Sequence, residues 1–449
     1  MDGAALEPQG QGGGRALADA LPNATRGPLR VLDDRAMEFA SSDAELRAAL
    51  FRFVDVVPAC RSLDDLARHL TGFLEDVDDP PPSIDAAMRM GSTRVGRAAL
   101  GAAAAVGVKR MAHRFIVGED VGDARGTLRG LWDEGVASSV DLLGEATVTA
   151  DEADRYAARC ASALDDLAGV YDGLAPAPLL ERDAAGPTPR VNLSVKTSAL
   201  TPLLRPDAPD LGRRDAAERL RPLLRQARDR GAHLHVDMES LDSREAVTDL
   251  VLSVLAEDEF RDGPSAGVVL QAYLRDAPAL AERLLLWCSE EPRTVPLTVR
   301  LVKGAYWDHE IIEARQHGWT APVFEEKADS DRTFEALTRD LLAARSSGVP
   351  VRVAIASHNL RSVAHALAAN DALGGGPADV EIQVLRGLGD ELQHALSATG
   401  RRVRTYCPVG DLVAGMAYLV RRLLENTSNE SFLHDQVSGV PIEELLKAP

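Results

Sequence analysis

The sequence predicts an α/β fold, a (β/α)8 TIM-type barrel with an N-terminal helical region. Three observations carry that prediction. Eight short β-rich runs follow one another from about residue 137 to residue 406, most separated by enough chain for a helix, and such alternation marks a parallel α/β architecture. The roughly 300 residues they occupy match the size of a (β/α)8 barrel. The carboxyl ends of the runs carry charged and polar side chains with unusual regularity, and in such barrels that face holds the chemistry.

Taken in order, residues 1–28 are rich in Gly, Gln and Pro with few large apolar groups. They are expected to be a disordered lead-in, because they bury too little to offset their own ordering entropy. Residues 29–130 form the expected helical arm. Leu46, Leu50 and Val54, then Leu63, Leu66, Leu70 and Phe73, recur at helical spacing, with Ser62 as a cap. The acidic stretch Glu75–Asp79 and the three prolines Pro80–Pro82 end this segment. A further helical stretch, in one or two pieces, covers Ile84–Phe115 and ends on the basic cluster Lys109, Arg110, His113 and Arg114. It reads either as a packing helix or as one lying on a membrane surface.

The barrel is expected over residues 131–428 and a C-terminal tail over 429–449. Its β-runs are Ala137–Leu143, Val191–Lys196, His233–Asp237, Gly267–Ala272, Leu297–Val302, Val351–Ala356, Val380–Leu385 and Arg402–Tyr406. Thr149 with Glu152 three residues on has the spacing of a capping box and opens the first barrel helix.

Composition narrows the function classes. The 449 residues carry a formal charge of −19, which repels phosphate backbones and argues against a nucleic-acid partner. Cys60, Cys160, Cys288 and Cys407 form no C-x-x-C pair, so neither a zinc site nor a disulfide framework is expected, and a reducing cytoplasmic setting fits. The ten histidines show no H-E-x-x-H spacing, and no metal is expected. The N-terminus lacks the basic and apolar regions of a signal peptide, and Ala98–Val108 is too short to span a bilayer.

At the strand ends stand Asp141 and Glu145, Lys196, Asp237 and Glu239, Gln271, Arg300 and Lys303, His358 and Asn359, Arg386, and Tyr406. A converging set of charges at that face points to a binding pocket. In the last barrel helix Tyr418, Arg421, Arg422 and Glu425 share one face, opposite Leu419, Val420, Leu423 and Leu424. That face is either solvated or, since paired guanidinium groups grip carboxylates bidentately, an anion clamp.

The runs VNLSVKTSAL (Val191–Leu200), HVDMES (His235–Ser240), VRLVKGAYWD (Val299–Asp308), SHN (Ser357–Asn359) and YLVRRLLE (Tyr418–Glu425) together resemble the proline dehydrogenase family. The likeness runs over about residues 110–435 and is greatest to the dehydrogenase half of bifunctional proline utilisation A proteins. It implies a flavoenzyme that oxidises L-proline to 1-pyrroline-5-carboxylate with FAD and passes electrons to a quinone acceptor at a membrane surface. An aldehyde dehydrogenase would be the downstream partner, and the setting cytoplasmic, peripheral to the inner face of the membrane.

The resemblance also assigns roles. Asp237 and Arg300 stand as catalytic residues. Lys196, Arg421 and Arg422 form a carboxylate clamp, and Tyr306, Leu385, Tyr406 and Tyr418 wall the proline ring. Tyr406 leaves little room for a ring hydroxyl. Met238, Gln271, Arg300, Val302, Lys303, Gly304, Ala305, Trp307, Ser357 and His358 contact FAD. Asp237 is expected to pair with Lys196, and Glu145 or Glu425 to hold an arginine.

Two positions depart from the bifunctional relatives. Arg386 replaces their usual histidine and Cys407 their usual alanine. No G-x-G-x-x-G follows a strand, so FAD is not held in a Rossmann manner. The competing readings are a dehydrogenase for hydroxyproline or another cyclic amino acid, and a non-catalytic amino-acid-binding barrel.

Overall fold

The computed structural model describes residues 3–21, 44–78, 81–144, 147–411, 415, 418 and 440–449. Eight parallel strands close into a barrel: β1 (Ala137–Leu142), β2 (Asn192–Lys196), β3 (His233–Asp237), β4 (Ser265–Gln271), β5 (Leu297–Val302), β6 (Val351–Ala356), β7 (Val380–Leu385) and β8 (Val403–Val409). Each pairs with its sequence neighbours, and β1 closes the ring against β8. β3, β5, β6 and β7 match the sequence expectation residue for residue. β8 runs three residues past its expected end, because Cys407, Pro408 and Val409 stay in register with Val140, Asp141 and Leu142.

The strands alternate as a filled barrel requires. Leu193, Val195, Leu234 and Val236 face the helices and are fully or almost fully buried, while Asn192, Ser194 and Lys196 of β2 and His233, His235 and Asp237 of β3 share the inner face. The capping box forms as expected: the Glu152 amide donates to Thr149 Oγ1 (3.3 Å) and the Thr149 amide to Glu152 Oε2 (3.1 Å).

In the arm, α2 (Ala44–Val56), α3 (Leu63–Leu74), α4 (Pro82–Gly91) and α5 (Arg94–Phe115) follow α1 (Gly3–Ala20). The Asp65 amide donates to Ser62 Oγ at 3.1 Å, so Ser62 caps α3. The expected stretch Ile84–Phe115 is two helices, the second capped by Thr93, which accepts from the Gly96 amide at 3.0 Å. The alanine-rich α5 is a packing helix. Val108, Ala112 and Phe115 join Phe53, Val54 and Leu66 of the arm and Leu143 of the barrel in one buried cluster. Gly101 lies so close to α3 that a β-carbon would come within 2.0 Å of Leu63 O.

The lead-in requires a correction. Over its described part it is α1, whose Leu6, Gly10, Gly14, Leu17 and Leu21 form a buried stripe at helical spacing. Two of the five positions are glycine, so hydropathy hides the stripe. Those glycines admit close neighbours; a β-carbon on Gly14 would meet Leu446 Cδ2 at 2.5 Å. The helix docks on α6 (Leu360–Ala372) with Glu7 bonded to Arg361 (2.5 Å), and the same arginine holds Leu446 O of the C-terminal segment (3.1 Å).

At the amino end of the barrel the lumen is filled by side-chain ion pairs. Arg404 forks onto Glu381 (2.7 and 3.0 Å), Arg402 reaches Glu381 (3.0 Å) and Asp183 (3.5 Å), and Arg352 reaches Asp183 (2.7 Å). Burial alone would raise the Glu381 carboxyl, but Arg404 and Arg402 hold it well below the usual carboxylate range. Beside them His233 Nδ1 bonds Ser265 Oγ (2.8 Å) and His233 Nε2 bonds His235 Nδ1 (3.2 Å). Gly267 makes the room: a β-carbon there would sit 2.4 Å from His235 Nδ1.

Burial, with Arg404 adding to it, pushes His233 down to about 3, and burial with Arg300 holds His235 well below its usual value. The unfolded chain therefore binds protons below about pH 6.5 that the folded chain refuses, so stability falls as pH drops from there toward 3. We expect a loss of roughly 1.4 kcal/mol per pH unit per histidine in that window, read from denaturant unfolding at pH 7, 6 and 5. A His233→Asn variant should show a shallower slope; an identical slope would remove the histidine from the account.

Candidate functional site

The carboxyl ends of the strands bring two cations and a set of carboxylates together. β1 and β2 stand side by side with Asp141 in register with Ser194, and Lys196 is in register with Asp237 of β3. Lys196 Nζ pairs with Asp141, which is 1% exposed. This corrects the expected Lys196–Asp237 pair. Asp237 is already engaged: Arg300 Nη1 donates to its Oδ1 (2.6 Å) and the Tyr406 hydroxyl to its Oδ2 (2.7 Å).

Burial works against the charge on Lys196, but Asp141, Asp237 and Glu239 together raise its pKa above the usual lysine value. It stays a cation. Burial pushes the Glu239 carboxyl up, with the Ser198 hydroxyl that donates to it opposing. Burial, then Asp141 and Asp237, drive Tyr406 well above an ordinary phenol, so it remains a donor toward Asp237.

Arg300 is 5% exposed and sits 5.5 Å from the Tyr406 ring centre. Its Nε donates to Gln383 Oε1 (2.7 Å) and its Nη2 to Ser194 Oγ (3.3 Å). With the bond to Asp237, three of the five N–H groups of a guanidinium are used.

The remaining sequence-predicted contacts line the same face. Gln271 is in register with Val302, which neighbours Ala356, and Ser357 and His358 follow directly. Gln271 is 4% exposed, and its amide makes no side-chain hydrogen bond among the described residues. His358 Nε2 accepts from the Leu385 amide (2.9 Å), which places the ring proton on Nδ1. Ser357 Oγ accepts from the Asn359 amide (3.1 Å). Lys303 pairs with Asp331; burial lowers its pKa and Asp331 opposes that.

Gly304 has φ 145°, and a β-carbon there would strike the Tyr273 ring at 2.4 Å, so only glycine fits. Ala305 beside it is exposed and Tyr306 half-buried. Trp307 donates its indole N–H to Phe324 O (2.7 Å) and packs on the main core, as does Met238. Tyr418 packs against the cluster joining arm and barrel. Glu145, Arg421, Arg422 and Glu425 lie outside the described residues.

The arm reaches this face. Arg114 Nε donates to Gly387 O in the loop after β7 (3.0 Å), and the Val117 amide to Pro408 O of β8 (2.9 Å). Arg114 thus ties the arm down, while Lys109 and His113 of the basic cluster remain exposed. The two departures are neighbours: the Arg386 amide donates to Tyr406 O (3.1 Å), and burial pushes the adjacent Cys407 thiol up to about 12, with Arg386 the first charge opposing it. Cys407 belongs to the core outside the barrel wall, so it does not face the lumen.

Sequence reasoning named Asp141 without its partner and missed Gln383. The available signal was a pair of inward polar positions, Glu381 and Gln383, in an otherwise apolar strand. Among the described residues one further group, Cys60, Asp65 and His69, brings potential ligand atoms within 4.8 Å of one another. It lies in the arm at the first turn of α3, where the helix dipole disfavours a cation and Asp65 already accepts from the Arg61 amide (3.1 Å).

Comparisons with known proteins show what the chain is similar to. The family described as proline dehydrogenase matches residues 124–435, and the proline utilization A N-terminal domain matches residues 7–115. Bifunctional protein PutA of Salmonella typhimurium is 32% identical over 359 residues, covering 76% of this chain and 25% of that protein. The chain thus spans about a quarter of the length of these bifunctional relatives. Proline dehydrogenase of Deinococcus radiodurans is 27% identical, covering 72% of this chain and 88% of the relative. The crystal structure of proline utilization A from Bdellovibrio bacteriovorus, inactivated by N-propargylglycine, superposes with a TM-score of 0.89 at 33% identity, covering 99% of this chain and 44% of that one. With its closed eight-stranded barrel and a family match over residues 124–435, the chain belongs to the proline dehydrogenase family.

Proposed function

We propose that the chain oxidises L-proline to 1-pyrroline-5-carboxylate with FAD as cofactor. The observation that carries this reading is the cluster of Lys196, Asp141, Asp237, Arg300 and Tyr406 on the carboxyl face of a barrel from this family. The residues present suit a flavin: Gln271 offers a buried amide with no described side-chain partner, and Arg300 keeps two N–H groups beyond those bonded to Asp237, Gln383 and Ser194; Gly304 stands among the positions the family resemblance assigns to the cofactor. Met238, Val302, Lys303, Ala305, Trp307, Ser357 and His358 would complete its cradle. When bound, FAD supplies the two-electron oxidation of the ring carbon beside the proline nitrogen.

The chain's own groups bind and orient. Lys196, with Arg421 and Arg422, takes the substrate carboxylate, and Glu145 or Glu425 holds an arginine in place. Tyr306, Leu385, Tyr406 and Tyr418 enclose the apolar ring and exclude water. Asp237 fixes Arg300 and Tyr406 in one geometry, the positioning on which much of an enzyme's rate depends. Electrons leave to a quinone acceptor at a membrane surface, toward which the exposed Lys109 and His113 can turn. No described helix is long and apolar enough to cross a membrane. In this reading the protein is cytoplasmic and meets the inner face of the membrane peripherally. An aldehyde dehydrogenase receives the product.

The test is anaerobic. Purified protein should be yellow and bleach when proline is added, and bleach more slowly with 4-hydroxyproline. Colourless protein that still binds proline would replace catalysis by the binding-barrel reading. Replacing Arg421 or Arg422 by Met is expected to weaken apparent proline affinity by roughly ten- to a hundredfold while FAD stays bound. Unchanged affinity in both variants would return that helix face to solvent.

A further inference from the structure

We propose that Gln383 is a positioning residue for the reaction, fixing the plane of the Arg300 guanidinium and tying it to the ion network at the amino end of the barrel. This rests on the proposed proline oxidation at the opposite face.

Gln383 is 5% exposed and stands in the middle of β7. Its carbonyl accepts from Arg300 Nε (2.7 Å) and its amide donates to Glu381 Oε1 (2.7 Å). Arginine can only donate and an ionised carboxylate can only accept, so the sense of the amide is determined by its two partners. Glu381 is in turn held by Arg402 and Arg404. A continuous column therefore runs along the axis through Asp183, Arg402, Glu381, Gln383, Arg300 and Asp237.

The column explains why an uncharged amide stands here. A carboxylate ionised at this place would compete with Asp237 for the guanidinium and repel Glu381. A cation would repel Arg300. An apolar residue of equal length would leave Arg300 Nε buried without an acceptor, and the planar fork would be free to turn about the bond to Asp237. Gln383 supplies one acceptor and one donor with no charge, and the remaining Arg300 N–H groups keep a fixed direction.

The experiment compares wild type with Gln383→Met and Gln383→Glu by anaerobic flavin reduction with proline, together with the proline KM and the visible flavin spectrum. Met keeps the volume and removes both hydrogen bonds. It should slow flavin reduction by about ten- to a hundredfold, shift the flavin spectrum and leave KM within about twofold. Glu, crowded against anionic Glu381, takes up a proton and so keeps both links; it should recover most of the rate.

A Met variant that reduces flavin at the wild-type rate with an unaltered spectrum would overturn the inference. So would a Glu variant as slow as Met. Should Met fail to fold, the Glu variant decides alone: near wild-type rate supports the column, and a rate ten- to a hundredfold lower overturns it. A wild-type protein that never bleaches would fail the proposed reaction itself, an outcome distinct from either variant's.

Discussion

Replacing Lys196 by Met is expected to raise the proline KM by about ten- to a hundredfold, because a charge-assisted hydrogen bond to the carboxylate contributes roughly 1.5–3 kcal/mol. Arginine would not restore it, since its planar fork differs in reach and shape from an ammonium. The same change strands Asp141, which is 1% exposed and paired with Lys196, and removing one partner of a buried ion pair costs about 3–5 kcal/mol. A second variant separates the two effects. Lys196→Met combined with Asp141→Asn should regain much of the stability and none of the affinity. Steady-state kinetics with proline and denaturant unfolding of both variants check this; a KM within twofold of wild type would remove Lys196 from the clamp.

A loss of stability of the same size is expected at the other end of the barrel. Glu381→Gln should cost about 3–5 kcal/mol, because it leaves the buried Arg402 and Arg404 facing each other with half their acceptor removed. Both arginines are nearly inaccessible, at 3% and 2% exposure. The exposed pair Arg225–Glu259 has comparable geometry at 2.7 Å and serves as a control. Its loss should leave the urea midpoint almost unmoved, since solvent already screens it. Equal shifts in the two variants would show that burial is not what gives the Glu381 network its weight.

These two sites differ in how far they could be read from sequence. Strands β3, β5, β6 and β7 were legible to the residue because turn signals bound each apolar run. Lys196, Asp237, Arg300 and Tyr406 were legible as a group because all four stand at or near strand ends. Their pairing was not. Whether Lys196 meets Asp141 or Asp237 is decided by strand stagger and by the prior claims of Arg300 and Tyr406 on Asp237. The ion network draws on Asp183, Arg352, Glu381, Arg402 and Arg404, spread over some two hundred residues, and becomes visible only when the sheet closes. α1 escaped notice for a local reason: two of its buried positions are glycine, which carries no hydropathic signal yet permits the tight approach to Leu446.

The ionic filling of the amino end has a consequence for traffic. Beside Arg352, Arg402 and Arg404 there remains a cavity of ≈ 30 Å³, room for a water or two and far too little for an amino acid. Among the described residues the amino end of the bore therefore offers no passage to an amino acid, and whatever binds at the strand tips comes and goes on the carboxyl side of the barrel.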